Sequence, residues 1–333
     1  MSDEMPVTMS RSLPLLLPLL LLLFLLLTVL LALKLGSSHL EWVTLWQILL
    51  GEEQGVRATV VLELRLPRIV AAFVVGGLLA LAGLLMQVLL RNPLADPYVL
   101  GVSGGAAVAA LLILLLGASS VWMAPAAFVG ALLSMLLVFG LARLRGSWEP
   151  MRLLLTGVVV AAGWGSIITF LLAVSPDQTL RSMVFWLMGD LGQPTLPLWE
   201  LLLLLLGSVL AYLMAREINV LARGGEQAAA FGVSVERLRL VLFLLASLLT
   251  ATAVTLAGSV GFIGLVVPHM IRLMGGGDHR LLVPASVLLG GGLLILSDTL
   301  ARTLLAPQQL PVGVVTAMLG VPLFLYLLQR SGR

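Results

Sequence analysis

Along this chain, apolar stretches of about 20 residues, the length that crosses a bilayer as a helix, alternate with short polar or glycine- and proline-bearing connectors. The pattern predicts helices near 13–35, 68–90, 99–117, 122–142, 152–174, 198–215, 238–258, 261–274, 282–298 and 311–329. Ten crossings would put both ends of the chain on the same side of the membrane. The first stretch, Leu13 to Leu33, is almost pure leucine. Its apolar run exceeds the ~7 to 15 residues of a signal-peptide core and no small-residue cleavage site follows, so it is expected to be an uncleaved span.

The connectors break the pattern in informative ways. Arg91 to Gly105, RNPLADPYVLGVSGG, sets two prolines, two charges and a glycine pattern between two spans, where a plain anchor needs none. Pro93 and Pro97 deny it regular helix. Small residues recur every fourth position at Gly101, Gly105 and Ala109, at Gly157, Ala161 and Gly165, and at Ala253, Ala257 and Gly261. That spacing lets helix backbones approach closely in lipid and predicts a compact bundle.

Arg216 to Arg239 is the longest polar stretch, and its middle, Glu226 to Phe231, reads as a short helix closed by Gly232. Such a segment either docks into a partner's groove or lies as an amphipathic loop on the bilayer surface. Ser175 to Pro197 mixes Trp186 with Gly189, Asp190 and Gly192. It reads as an interfacial helix and turn lining a vestibule, or as an aromatic anchor at the membrane interface.

Composition agrees with a polytopic membrane protein made of one transmembrane domain, residues 1–333: 60% of the residues are hydrophobic, 11% are charged, and the mean hydropathy is +1.13. The net charge of +3 comes from 18 Arg and one Lys spread along the chain, which points away from nucleic acid. Cysteine is absent, removing disulfides, thiolate metal sites and thiol nucleophiles.

Cytoplasmic loops retain Arg and Lys. With the N-terminus inside, thirteen basic residues fall on the inner side and six outside, namely Lys34, Arg57, Arg65, Arg68, Arg181 and Arg302, so both termini are expected to be cytoplasmic. Asp and Glu fall in loops or at helix ends, without the mid-membrane carboxylate that ion-coupled transporters use. Energy is therefore expected from elsewhere. The chain has no Gly-x-x-x-x-Gly-Lys-Ser/Thr loop to cradle nucleotide phosphates. Three scattered histidines offer no catalytic constellation, and His269 has no carboxylate at ligand spacing, so no enzyme activity, metal or other cofactor is expected.

Two blocks of residues resemble a known family. Arg65-Leu66-Pro67-Arg68 and Asn92-Pro93-Leu94-Ala95-Asp96-Pro97, running into Leu100-Gly101-Val102-Ser103, form the first. The second runs from Gly261 through Pro268-His269 and Arg272 to Asp278-His279-Arg280, then Leu310-Pro311-Val312-Gly313-Val314-Val315-Thr316 with Gly320 and Pro322. Over nearly the whole chain these are similar to the FecCD family, the permease subunits of type II ABC importers for cobalamin, haem and ferric siderophores, with the cobalamin branch nearest.

The resemblance implies an all-α fold of ten transmembrane helices with an inverted repeat, although no internal repeat is visible in the sequence. It implies a homodimer in the bacterial inner membrane, two cytoplasmic ATPase subunits and a periplasmic or lipid-anchored substrate-binding protein. By the same resemblance, Arg65, Arg68 and Arg302 would receive the binding protein on the outer rim. Gly225, Glu226, Ala229 and Gly232 would form the coupling helix of the 216–239 loop, which meets the ATPase. Asn92 and Leu94 would narrow the inner mouth of the pore as a cytoplasmic gate.

Overall fold

The computed structural model describes residues 13–36, 40–143, 149–192 and 196–331, with α-helices and short 3-10 and π turns but no strand among them. Of the basic residues counted above, Arg11, Arg145 and Arg333 lie outside this set. The first half comprises α1 (Leu13–Lys34), α2 (Trp42–Leu49) and α3 (Val56–Thr59), which runs through a π turn (Val60–Arg65) straight into α4 (Leu66–Leu89). After a 3-10 turn (Pro97–Leu100) come α5 (Val102–Leu115), a second 3-10 turn (Ser120–Trp122), α6 (Met123–Arg143) and α7 (Pro150–Val174). The rest is α8 (Asp177–Met188), α9 (Leu198–Leu213), α10 (Ala215–Arg223), α11 (Gly225–Ala230), α12 (Val235–Ala257), α13 (Ile263–Gly275), α14 (His279–Thr303) and α15 (Val312–Ser331).

Seven of the described helical segments are long and apolar enough to cross a membrane, an eighth is the bent pair α9 and α10, and α5 and α13 are shorter apolar helices. These ten coincide with the ten crossings expected from hydropathy. Two boundaries move substantially. The second crossing starts at Val56 rather than 68, because the helix continues through Arg65 and Arg68 instead of leaving them in a loop. The ninth runs on to Thr303 rather than ending at Asp298, since Arg302 pairs with Asp298 one turn earlier and neutralises it.

Helix α4 is the axis of the bundle. Its residues from Val74 to Leu89 are all buried, with α14, α12 and α13 packed around it. Glycine makes this proximity attainable: a methyl on Gly76 would stand 2.7 Å from the Gly290 carbonyl carbon, and one on Gly83 would stand 2.6 Å from the Gly264 Cα. Backbone meets backbone at both points, so α14 and α13 lie flush on α4.

The stripes read from the sequence behave unequally. Gly105 faces Gly130 and Ser134 of α6, and Gly157 sits under Val99 and Leu100, but Gly165 and Gly261 have open space where a side chain would be. Segment 216–239 is not a loop with one short helix: α10 occupies its first part, α11 its middle, and α12 already starts at Val235.

The connector after α4 does not stay at the end of the bundle. Pro97 packs on Gly264, where a methyl would meet its Cδ at 2.8 Å, and Gly264 in turn faces Gly83. Gly83 lies six residues before Leu89, so the chain turns back about 9 Å into the bundle before α5 begins. A second break, Gly258 to Phe262 between α12 and α13, meets it there. The Val260 N–H donates to the Tyr98 hydroxyl at 3.2 Å, and the Ser103 and Ser259 hydroxyls bond at 3.1 Å. Long helix, break and short helix thus occur twice, as α4 with α5 and as α12 with α13.

Candidate functional site

The residues singled out by sequence gather at the two opposite ends of α4. Arg65, Arg68 and Arg302 line one cavity of about 260 Å³, together with Gly36, Gly192 and Gln309. Arg65 is only 4% exposed, and its Nη1 donates to the carbonyls of Leu33 at 2.5 Å and Lys34 at 3.1 Å. Those carbonyls end α1 and lack partners within the helix. This guanidinium therefore holds the first helix against the second rather than standing out from a rim.

Arg68 and Arg302 share a carboxylate that the sequence reading left out. Arg68 donates Nε to both oxygens of Asp298 at 3.0 and 3.1 Å and Nη2 to Oδ1 at 2.8 Å, while its Nη1 reaches the Gln309 side-chain oxygen at 3.1 Å. Arg302 donates Nε to Asp298 Oδ2 at 3.0 Å, and its Nη2 has no hydrogen-bond partner. Asp298 is 1% exposed, and the half-exposed Asp190 comes to 3.8 Å of Arg68. Three guanidinium groups against one buried and one solvated carboxylate leave this cavity with an excess of positive charge. A partner presenting carboxylates suits it.

At the other end α10 departs from α9 at 62°, which swings it off the axis of that span. Gly224 and Gly232, at φ +143° and +79°, turn the chain on either side of α11. Ala228 is fully buried and seats α11, whereas Glu226, Ala229 and Gly232 are exposed and Gly225 is half-buried. Phe231, 77% exposed, protrudes beside them. The connector starts next to this helix: Arg91, at φ +51°, holds Nη2 3.2 Å from where a Gly224 side chain would begin, and it borders the same cavity as Gly225, Glu226 and Ala229.

Asn92 and Leu94 therefore lie at the α11 end, before the connector turns inward. The Leu94 N–H donates to Asn92 Oδ1 at 2.9 Å, and the Asn92 N–H donates to the Gln87 carbonyl at 3.1 Å. Gln87 also donates its amide to the Leu265 carbonyl at 3.1 Å and accepts from Arg272, which clamps α4 to α13. This leaves Leu94, 40% exposed, on a short turn supported from below.

One more residue at this end, Asn219, escaped the sequence reading. Asn219 of α10 donates Nδ2 to Asp278 at 2.8 Å, while its Oδ1 accepts from the His279 N–H at 2.9 Å and lies 2.6 Å from His279 Nδ1. The Arg280 N–H and the Asn219 amide hold the Asp278 carboxyl below the usual range for an aspartate. His269 is buried with its ring edge towards Phe324, 6.4 Å between centroids. Asp298 had a readable sign, an arginine four residues on; a lone asparagine at 219 had none.

A bundle that is all-helical among the described residues, with about ten apolar helical segments, an arginine-lined cavity at one end and an exposed short helix at the other, defines a polytopic membrane protein rather than a single-span anchor. Residues 22–330 match the model of the FecCD transport family, and the chain belongs to that family, the permease subunits of type II ABC importers. It is 42% identical over 314 residues to the hemin transport system permease protein HmuU of Yersinia pestis, covering 90% of this chain and 92% of that one. Against the cobalamin import system permease protein BtuC of Halobacterium salinarum it is also 42% identical, over 274 residues, covering 80% and 72% respectively. A solved inward-facing structure of a transporter assigned to the metal-chelate ABC type superposes with a TM-score of 0.82 at 29% identity, covering 94% of this chain and 98% of that one.

Proposed function

We propose that this protein carries a metal chelate (haem, cobalamin or a ferric siderophore) across the bacterial inner membrane into the cytoplasm, driven by ATP hydrolysed in a separate subunit. It works as a homodimer with two ATPase subunits and a periplasmic or lipid-anchored binding protein, and both of its termini face the cytoplasm. The observation that carries this reading is the separation of the two docking features by the full length of α4: an arginine-rich cavity at one end, an exposed six-residue helix at the other. The first faces the binding protein through Arg68 and Arg302, with Arg65 bracing them. The second, with Gly225, Glu226, Ala229 and Gly232, enters the ATPase and moves when nucleotide closes it. Asn92 and Leu94, beside that helix, form the inner gate.

Relatives named for hemin and for cobalamin stand at the same identity, so the cargo is proposed as a class, a metal held in a chelate. Uptake of labelled hemin, cobalamin and ferric chelates into cells or proteoliposomes decides among them. The docking role is tested with R68Q/R302Q/D298N, which neutralises the cluster without stranding a buried carboxylate. Expected is loss of binding-protein docking and of uptake at unchanged permease abundance; normal docking overturns it. In the same vesicles N92A/L94A is expected to raise ATP hydrolysis without matching uptake, and unchanged coupling reduces the segment to a turn.

A further inference from the structure

Helix α14 carries polar fasteners at both docking ends, as α4 does through Arg68 and Gln87. At the start of α14, Asp278 and His279 are the partners of the Asn219 side chain of α10. His279 is 3% exposed, so this fastening is partly sheltered from water, where a hydrogen bond is harder to exchange for solvent. Near its other end Asp298, about 30 Å along the same helix, holds Arg68 and Arg302 together. Between the two, α14 lies flush on α4 at Gly76 and Gly290. The arm carrying α11 is α10 itself, joined to it through Gly224 alone.

We propose that Asn219 is a positioning residue that joins the arm α10 and α11 to α14, so that displacement of the short helix is passed along α14 to the Asp298 cluster and back. The inference rests on the docking roles proposed above. If docking at the cluster and the state of α11 are linked through one rigid helix, each must bias the other by the same free energy. Cutting the link at Asn219 removes that mutual bias while leaving both docking surfaces chemically intact.

The test uses the permease assembled with its ATPase and binding protein in nanodiscs, and reads the ratio of ATP hydrolysis with saturating binding protein to that without it. Wild type gives a ratio above one, and R68Q/R302Q/D298N gives one. N219A is expected to bring the ratio down close to one, with binding-protein docking still detected. N219D, which sets two carboxylates against each other, does the same. The exchange N219D/D278N reverses donor and acceptor and keeps the bond, and it is expected to restore the ratio. Rates are taken per assembled complex, so a loss of abundance in N219A is not read as a loss of coupling. A wild-type ratio in N219A, or no recovery in N219D/D278N, overturns the proposal. Absence of stimulation in wild type overturns the docking reading, and this inference with it.

Discussion

Asp298 shows how one side chain can govern a site that arginines advertise. Two guanidinium groups of 12% and 9% side-chain exposure surround a carboxylate of 2%, and charges that far from water are tolerated only because each has the others. Removing the shared anion leaves Arg68 with Gln309 and the more distant, solvated Asp190, and Arg302 with no strong partner. D298N alone is therefore expected to destabilise the permease by about 3 kcal/mol, the order found when one partner of a buried pair is deleted, read as a lower midpoint of thermal unfolding in detergent. R68Q/R302Q/D298N, which removes all three charges, is expected to recover most of that loss, and equal midpoints for the two variants would sink the account. The sequence carried the clue in the spacing of four between Asp298 and Arg302, but a hydropathy reading ends the helix at its first charge and so discards the very pair that lets it continue.

At the scale of elements, uninterrupted apolar runs were legible almost to the residue, as α1, α6, α7 and α15 attest. What eluded the reading were α2, apolar but only eight residues long, α10, whose mixed polarity resembles a loop, and the inward turn at Pro97. That turn depends on Gly83 and Gly264 lying backbone to backbone, a contact between residues 181 positions apart that no local pattern encodes. Small-residue stripes fared by their partners: spacing tells which face is flat, not whether another helix lies on it. The contrast is measurable. G83A forces a methyl against the Gly264 backbone and is expected to cost about 1–3 kcal/mol of stability or more, as overpacking does, because neither backbone can yield. G165A, with nothing within 4 Å, is expected to stay within about 0.5 kcal/mol of wild type in the isolated permease. Thermal unfolding of the two variants under one condition ranks them, and similar losses would mean that the α4 contact is looser than its geometry.

For the whole molecule, function depends on which end faces which compartment, and the two ends differ enough to be told apart chemically. The run of arginines at the α11 end, Arg91, Arg216, Arg223, Arg237, Arg239 and Arg280, favours that end inside. Yet the opposite end also concentrates arginine, at 65, 68 and 302, and a simple charge count would weigh those against the assignment. Their burial resolves the conflict: Asp298 partly neutralises two of them, and Arg65 is turned onto the carbonyls of α1, so they are structural charges rather than free loop charges. Because the chain contains no cysteine, single cysteines report topology without background. L305C, at a position 55% exposed beside the arginine cavity, is expected to react with a membrane-impermeant maleimide in intact spheroplasts. Q227C, on the exposed face of α11, is expected to react only after the membrane is permeabilised. The reverse labelling would put the short helix outside, where no ATP-driven subunit can reach it, and the importer reading would fail at its first geometric requirement.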